Sequence, residues 1–294
     1  MDKKLIATLG TIAVGGLLLG TSAYAAIAQP SGYDLYKEAL KKTTAVQNLT
    51  PSLEMLVKNN GNDIFKVNSV TKLDKETKVS SSEITVTVGD KEKNVDIYKE
   101  KGKIIVKSDD SEIYKVLECN KEGFHKDRKY HGEGHKEDME SIVDALMTNY
   151  EKFISTKDLS DGNKAISLQL SEGQISPVIN AVTSVVVKNM LEHGDKVETV
   201  KGGFHDGLKP ELPALVSNIK VTQIDLKAKV SGDGLIQEQT LVFALVGEDI
   251  NGKTHELVVD MDAAFENFNT TTPETIDLTG KEVQQINHKF KHPR

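Results

Sequence analysis

Alternation of apolar and polar side chains with a period of two is the feature that most limits how this chain can fold. In residues 83–88, isoleucine and valine alternate with glutamate and threonine. Successive side chains of a strand lie on opposite faces, so this pattern predicts a strand with one buried face and one solvated face. Short polar or glycine-containing breaks recur regularly between residues 52 and 117, and they predict a meander of about six strands.

Other segments complete the predicted fold. Residues 166–170, 224–230 and 257–265 also alternate, and the uninterrupted apolar run 241–246 predicts a strand covered on both faces. Helical spacing occurs in residues 33–46, 139–154 and 176–190. Ser31 with Asp34 resembles a capping box for the first of these helices, and Ser176 before Pro177 is typical of the start of the last. The layout predicts an α+β fold in which about three helices cover one face of a large antiparallel sheet of about ten strands.

The N-terminus has the pattern of a secretory signal peptide. Two lysines precede an uncharged stretch from Leu5 to Gly20, and Ala23, Tyr24 and Ala25 match the small-x-small pattern of a cleavage site. We therefore expect residues 1–25 to be a signal peptide cleaved after Ala25 and the protein to be secreted or extracytoplasmic. The uncharged run extends to residue 28, so an uncleaved segment would also be long enough to anchor the chain in a membrane.

The remaining chain is predicted to form a single domain. Residues 26–32 are expected to be a linker, residues 33–280 the domain, and residues 281–294 a flexible basic tail. The core must consist mainly of Val, Ile and Leu, because aromatic residues make up 5% of the chain and Trp is absent.

Charge and cysteine content exclude several functional classes. The chain has 37 basic and 44 acidic residues, a formal charge of -7, which argues against nucleic acid as a partner. A single cysteine excludes an intrachain disulfide framework and the multi-cysteine metal motifs. No nucleophile with its base and no pair of carboxylates suited to hydrolysis is evident, so we expect neither an enzyme nor a cofactor.

One motif imitates a nucleotide-binding loop. Gly247, Gly252, Lys253 and Thr254 have the spacing of a P-loop, in which backbone N–H groups and a helix N-terminus bind phosphate. The residues after Thr254 alternate as a strand where the motif requires a helix, and Asn251 with Gly252 is a common pair in tight hairpin turns. We therefore predict a hairpin there and no nucleotide binding.

Histidines are concentrated in a polar segment. His125, His131 and His135 lie within residues 120–138, and His193 and His205 lie in a second glycine-containing polar segment. Imidazoles four residues apart can share a divalent metal on a helix, but Gly132 and Gly134 disfavour one here. The alternatives are a metal site formed by His125, His131 and His135, or a solvated and pH-responsive cluster.

The order of elements resembles a known family. A helix, about six strands, a helix, a strand, a helix and three or more strands follow the signal peptide, an order that resembles the LolA/LolB and LppX-like extracytoplasmic lipoprotein carriers over residues 33–268. The resemblance implies a curved half-barrel sheet whose helices close an apolar cavity for acyl chains. This chain lacks the lipidation cysteine of the lipoprotein members. The helix start at Tyr33 and the segment 94–103 also look like uncharacterised exported proteins of Gram-positive bacteria.

Apolar residues on the predicted helices and on the strand at 241–246 are the candidate ligand contacts. The helices must pack against an apolar surface, either the sheet alone or a ligand held between sheet and helices. We predict an exported protein that binds or shields a lipid-like or other hydrophobic ligand, with these residues at the cavity: Leu146, Met147, Val182, Val185, Val186, Phe243 and Leu245. The alternative is an envelope protein-interaction or sensing module, in which the histidine-rich segments and basic tail contact a partner protein, an anionic surface or a divalent metal.

Overall fold

A single open sheet of twelve strands forms the body of the protein. The computed structural model describes residues 31–100, 102–118, 147–194, 208 and 210–286. The strands are β1 (Asn48–Asn59), β2 (Asn62–Asp74), β3 (Val79–Val88), β4 (Lys91–Glu100), β5 (Lys103–Ser108), β6 (Tyr114–Glu118), β7 (Ile154–Asp158), β8 (Lys164–Ser171), β9 (Ser217–Val230), β10 (Ile236–Glu248), β11 (Thr254–Glu266) and β12 (Val283–Gln285). The predicted α+β class and antiparallel sheet are confirmed, and so is the six-strand meander between residues 48 and 118.

Two meanders meet at the centre of this sheet. The strand order is β12-β6-β5-β4-β3-β2-β1-β11-β10-β9-β8-β7, so β1 to β6 form one half and β7 to β11 the other. The halves are joined by antiparallel pairing of β1 with β11 over ten residue pairs from Thr50↔Glu266 to Asn59↔Leu257. The pairing of β12 with β6 is parallel, and the other neighbours are antiparallel. An N-terminal strand therefore lies in the middle of the sheet.

Two helices lie on the same face of this sheet, which we call the inner face. Helix α1 (Gly32–Ala45) begins with the predicted capping box, in which Ser31 and Asp34 satisfy each other's backbone N–H groups. Helix α2 (Pro177–Gly194) begins at the predicted proline. Helix α1 contacts β7, β9 and β10, whereas α2 contacts β9.

The predicted numbers of strands and helices differ from those in the part of the chain that the structure describes. The described residues form twelve strands, and about ten were predicted, because the short strands β7 and β12 were not recognised in the sequence. The same residues contain two α-helices, where about three were expected. Part of the helix predicted over 139–154 lies outside the described residues. The last residues of this predicted helix instead form a turn, a 3₁₀ segment (Glu151–Phe153) and the start of β7. Met147, Tyr150, Phe153 and Ile154 do pack on one apolar cluster, as their spacing suggested, but a turn and a strand bring them there.

Three hairpins of the second half use the same turn. In residues 159–163, 231–235 and 249–253, the first residue and the fifth are hydrogen-bonded through the backbone and the fourth is glycine. Gly162, Gly234 and Gly252 have φ values of 79°, 79° and 76°, a left-handed conformation that other residues rarely adopt. The third of these turns contains Gly252 and Lys253 of the P-loop-like motif, so the predicted hairpin at Asn251 and Gly252 is confirmed.

The C-terminal segment crosses the outer face of the first half. Asn48 exchanges two side-chain hydrogen bonds with the backbone of Thr271, with N···O distances of 2.7 and 2.8 Å. Farther along, the Glu274 N–H donates to Ser81 Oγ at 3.0 Å. The segment then reaches the sheet edge, where β12 pairs with β6. Strand β12 thus lies within residues 281–294, which were predicted to be a flexible tail.

Packing at the N-terminus of α1 generates a test of the fold. A Cβ atom on Gly32 would lie 2.6 Å from Cγ2 of Ile154 and 3.1 Å from Cγ2 of Thr156, both on β7. We expect Gly32→Ala to lower the free energy of unfolding by about 1–3 kcal/mol, although alanine is intrinsically the better helix former. Gly173→Ala is the matched control, since no heavy atom lies within 4 Å of its added Cβ. Urea unfolding of both variants checks the difference, and equal stabilities would contradict this packing.

Candidate functional site

Side chains of the inner face form apolar rows that cross most of the sheet. Because strand register is known, residues opposite each other can be followed from strand to strand. The first row starts at Ile154 on β7, is apolar as far as β3, and ends at Lys93 on β4. Its members are Ile154, Leu168, Leu226, Leu241, Met261, Met55, Val67, Val86 and Lys93.

The second row is wholly apolar, whereas the third contains polar members. Phe243 and Val259 lie at the centre of the second, which consists of Leu170, Ile224, Phe243, Val259, Val57 and Phe65. The third consists of Ile166, Ala228, Gln239, Ala263, Leu53, Ser69, Ile84 and Val95. Most members are buried, but Leu226, Leu241, Phe243, Val259 and Ile84 are only half-buried. The rows therefore form a broad apolar surface that is incompletely covered.

A buried lysine closes the first row. The Lys93 side chain is 8% exposed, and its Nζ lies 2.8 Å from Oδ2 of Asp110, whose own side chain is 51% exposed. Lys93 donates to this carboxylate and is the main reason that the pKa of Asp110 lies below its ordinary value of 3.8. The ion pair fixes a positive charge at the end of an apolar row.

A second polar group interrupts the third row. Gln239 is 2% exposed and lies opposite Ala228 and Ala263. The hydroxyl of Tyr36 on α1 donates to its Oε1 at 3.2 Å, and burial raises the pKa of this phenol well above 10. Sequence reasoning did not single out Gln239. The alternation that places Leu241 and Phe243 on the inner face also places Gln239 there, so the signal was present.

The structure brings together some of the predicted ligand contacts and separates others. Met147 and Phe243 pack on the same cluster, which includes Leu168, Leu170 and Val221, while Leu245 packs on Leu215 and Ile219 with Phe243 beside it. Leu146 lies outside the described residues. The three predicted valines of α2 are exposed, with Val182 at 44%, Val185 at 58% and Val186 at 45%.

A different side of α2 contacts the sheet. Ile179 and Val187 pack on the clusters beneath the helix, and the side chain of Asn180 accepts a hydrogen bond from the Val221 N–H at 2.8 Å. Together with Val178, which is 54% exposed, the three predicted valines form an exposed apolar stripe along α2. Valine occurs on both sides of this helix, so apolar spacing alone could not identify its buried side.

The histidines predicted as metal ligands, His125, His131 and His135, lie outside the described residues. Among the residues that the structure does describe, no group of three or more His, Cys, Asp or Glu side chains is placed to hold a metal ion. Within the same ranges, no helix combines the length and apolar character that a membrane crossing requires.

A buried histidine outside those segments has a structural role. Nε2 of His255 lies 3.2 Å from Oδ2 of Asp249, and its Nδ1 lies 3.2 Å from Oδ1 of Asn59. Asp249 also accepts hydrogen bonds from the backbone N–H groups of Lys253 and Asn251 in the β10–β11 turn. The bond from Lys253, followed by those from His255 and Asn251, lowers the pKa of Asp249. Both ring nitrogens of His255 thus face oxygen atoms of side chains that hold the β10–β11 hairpin and the end of β1.

A small surface cavity lies elsewhere, between β8 and β9. Its volume is about 260 Å³ and its lining is mostly polar: Gln169, Leu170, Ser171, Gln174, Thr222, Gln223 and Asp225. None of the predicted ligand contacts lines it, and its polar lining does not suit an acyl chain.

Comparison with known proteins identifies no family. No protein-family model and no curated protein matches the sequence. Among solved structures, the crystal structure of ywiB protein from Bacillus subtilis is similar with 5% sequence identity, over 76% of this chain and 96% of that chain, at a TM-score of 0.14. A score this low supports no inference about fold or function.

The Lys93–Asp110 ion pair predicts a specific acid dependence of stability. A carboxyl group whose pKa is lower in the folded state stabilises the fold above its unfolded pKa, and this contribution is lost as pH falls through the folded pKa. Because the pKa of Asp110 is lowered, we expect wild type to lose more free energy of unfolding than Asp110→Asn between pH 7 and about pH 3. Urea unfolding at both pH values is the measurement, with Asp90→Asn in the exposed β3–β4 turn as control. Parallel losses in wild type and Asp110→Asn would show that the ion pair contributes nothing.

The two sides of α2 predict opposite responses to truncation. Ile179 packs on the cluster beneath the helix, so we expect Ile179→Ala to cost about 2 kcal/mol of unfolding free energy. Val185 is 58% exposed, so Val185→Ala should change stability by less than about 0.5 kcal/mol. Thermal and urea unfolding of the pair check this, and the reverse order would place the valine stripe against the sheet.

Proposed function

We propose that this protein is an exported, non-enzymatic protein that binds a lipid-like ligand in the cell envelope. Its acyl chain would lie on the inner face of the sheet, between the sheet and the two helices. Export rests on the predicted signal peptide, and the ligand class rests on the inner face. The proposal assigns no reaction, no cofactor and no nucleotide or nucleic acid partner. It also requires the sheet to curve toward the helices as a half-barrel.

One observation carries the proposal: the first and second rows present apolar side chains on consecutive strands, and many of these side chains are only half-buried. Leu241, Phe243 and Val259 are adjacent members at the centre of the sheet. Met55 and Met261 lie opposite each other beside them, and both side chains are buried. They belong to the core on which the half-buried Leu241 and Val259 pack. Apolar surface left uncovered at the centre of a sheet costs free energy unless something binds to it.

The magnitude of burial is sufficient for binding. Apolar surface removed from water contributes about 25 cal/mol per Å², so covering roughly 300 Å² of acyl chain contributes about 7 kcal/mol before the costs of ordering the ligand. Four strand spacings of about 4.8 Å separate β10 from β3, so the rows between them run for about 19 Å. A long acyl chain can lie along such a distance.

The second candidate is an envelope protein-interaction or sensing module, and the exposed stripe on α2 favours it. Val178, Val182, Val185 and Val186 expose apolar surface on successive turns of one helix. Such a stripe is typical of a helix that docks on a partner. Salt-sensitive binding to anionic vesicles or wall polymer, by protein from which no lipid can be extracted, would support this function in place of lipid binding.

Organic extraction of the purified mature protein is the primary test. Lipid binding predicts a fatty acid or phospholipid that co-purifies in a fixed ratio to protein and is identified by mass spectrometry. An extract without lipid, combined with no uptake of added fatty acid, would refute the proposed function.

Tryptophan fluorescence can locate the ligand, because the natural chain has no Trp. Phe243→Trp introduces a single indole at the centre of the inner face, in the second row. We expect a fatty acid brominated in the middle of its chain to quench this indole, because heavy-atom quenching requires contact. Tyr98→Trp is the matched control on the outer face, where Tyr98 lies opposite Ser81 and Ile105. Equal quenching at both positions would indicate non-specific adsorption.

A further inference from the structure

Gln239 is a polar side chain in a position where the sheet otherwise has apolar or small residues. It is 2% exposed, near the start of β10 on the inner face. Its two neighbours across the sheet are Ala228 on β9 and Ala263 on β11. Because alanine ends at Cβ, the longer glutamine side chain extends past both neighbours toward α1, where it meets Tyr36.

The amide of Gln239 is incompletely hydrogen-bonded. Oε1 accepts from the Tyr36 hydroxyl at 3.2 Å, and Nε2 has no partner in the described part of the chain. Turning the amide over would bring Nε2 to that hydroxyl and leave Oε1 unpaired, so one amide atom lacks a partner in either orientation. Thr43, a buried residue of α1, differs: it donates to the Ala39 carbonyl and accepts from the Ile236 N–H.

Tyr36 contacts one of the two polar atoms of the amide. Its hydroxyl donates to Oε1 at 3.2 Å, and burial raises the pKa of this phenol. Nε2 is then the free atom, and it is a donor. A buried donor without an acceptor destabilises a fold, and a bound ligand that supplies an acceptor would remove this cost.

We propose that Gln239, oriented by Tyr36, binds the carboxylic acid head group of a fatty acid whose chain lies on the apolar rows. This assignment rests on the proposed function and specifies its ligand. The acid's carbonyl oxygen accepts a hydrogen bond from Nε2, and its O–H donates to the second lone pair of Oε1. The apolar surroundings disfavour the ionised carboxylate, so the acid binds in its neutral form.

The position of Gln239 also suits the chain of such a ligand. Leu241, two residues farther along β10, lies on the same face and is half-buried. It belongs to the first row, so a chain that leaves the head group at Gln239 passes Leu241 and can then run along the half-buried Phe243 and Val259 of the second row. Head group and chain thus have adjacent contacts on one continuous face.

The test uses the full mature protein and two fluorescent probes that differ only at the head: 12-(1-pyrenyl)dodecanoic acid and 1-dodecylpyrene. We expect Gln239→Leu to bind the acid about ten-fold more weakly, the loss of one buried hydrogen-bonding partner, and to bind the hydrocarbon as wild type does. Tyr36→Phe should weaken acid binding as well, because it frees Oε1 and leaves the amide without a fixed orientation. Thr240→Val, on the outer face of the same strand, is the control and should change neither affinity.

The outcomes separate this inference from the function on which it rests. Selective loss of acid binding, with a melting temperature of ligand-free Gln239→Leu at or above that of wild type, supports the head-group site. Unchanged binding of both probes overturns the site and leaves lipid binding intact, and an equal loss of both overturns it in favour of a packing role. If Gln239→Leu does not fold, the same comparison with Tyr36→Phe decides. Wild type that binds neither probe refutes the proposed function itself.

Discussion

The pairing of β1 with β11 is the interaction on which the rest of the structure depends. It joins two antiparallel meanders that would otherwise be separate sheets with unpaired inner edges. All three rows of the inner face cross this joint, at Leu53↔Ala263, Met55↔Met261 and Val57↔Val259. The ten residue pairs of the joint therefore do more than connect strands. They make the apolar side chains of both halves into one continuous surface, and the proposed ligand site exists only because that surface is continuous.

Two buried polar side chains on the inner face differ in whether other side chains satisfy their polar atoms. Lys93 is charged, and its ammonium is paired with Asp110, so its burial is compensated within the protein. Gln239 is neutral, and its amide has a partner at only one of its two polar atoms within the described residues. A compensated group belongs to the scaffold. In the proposal made above, the uncompensated amide of Gln239, next to two alanines, is satisfied by a ligand.

Local patterns predicted the elements well and their environment poorly. Alternation located the strands β1 to β6 and the central strands of the second half, and capping residues located the starts of both helices, because these signals depend on nearby residues. The strand β7 was mistaken for the end of a helix, since Phe153 and Ile154 continue an apolar spacing that a turn and a strand also satisfy. The valines of α2 were assigned to the ligand site because the helix is apolar on more than one side. Only tertiary packing shows that Ile179 and Val187 contact the sheet.

The central position of β1 has a consequence for how the molecule assembles. Residues Met55 and Met261 are partners, yet about 200 positions of chain separate them. When the polypeptide emerges from a ribosome or an export channel with its N-terminus first, the hairpin of β1 and β2 forms early, and one of its edges then waits for residues 254–266. That edge is available to strands of other chains throughout the delay. Closure at the middle of the sheet thus comes late, after both halves have been synthesised as far as β11, and the waiting edge of β1 is exposed to aggregation until then.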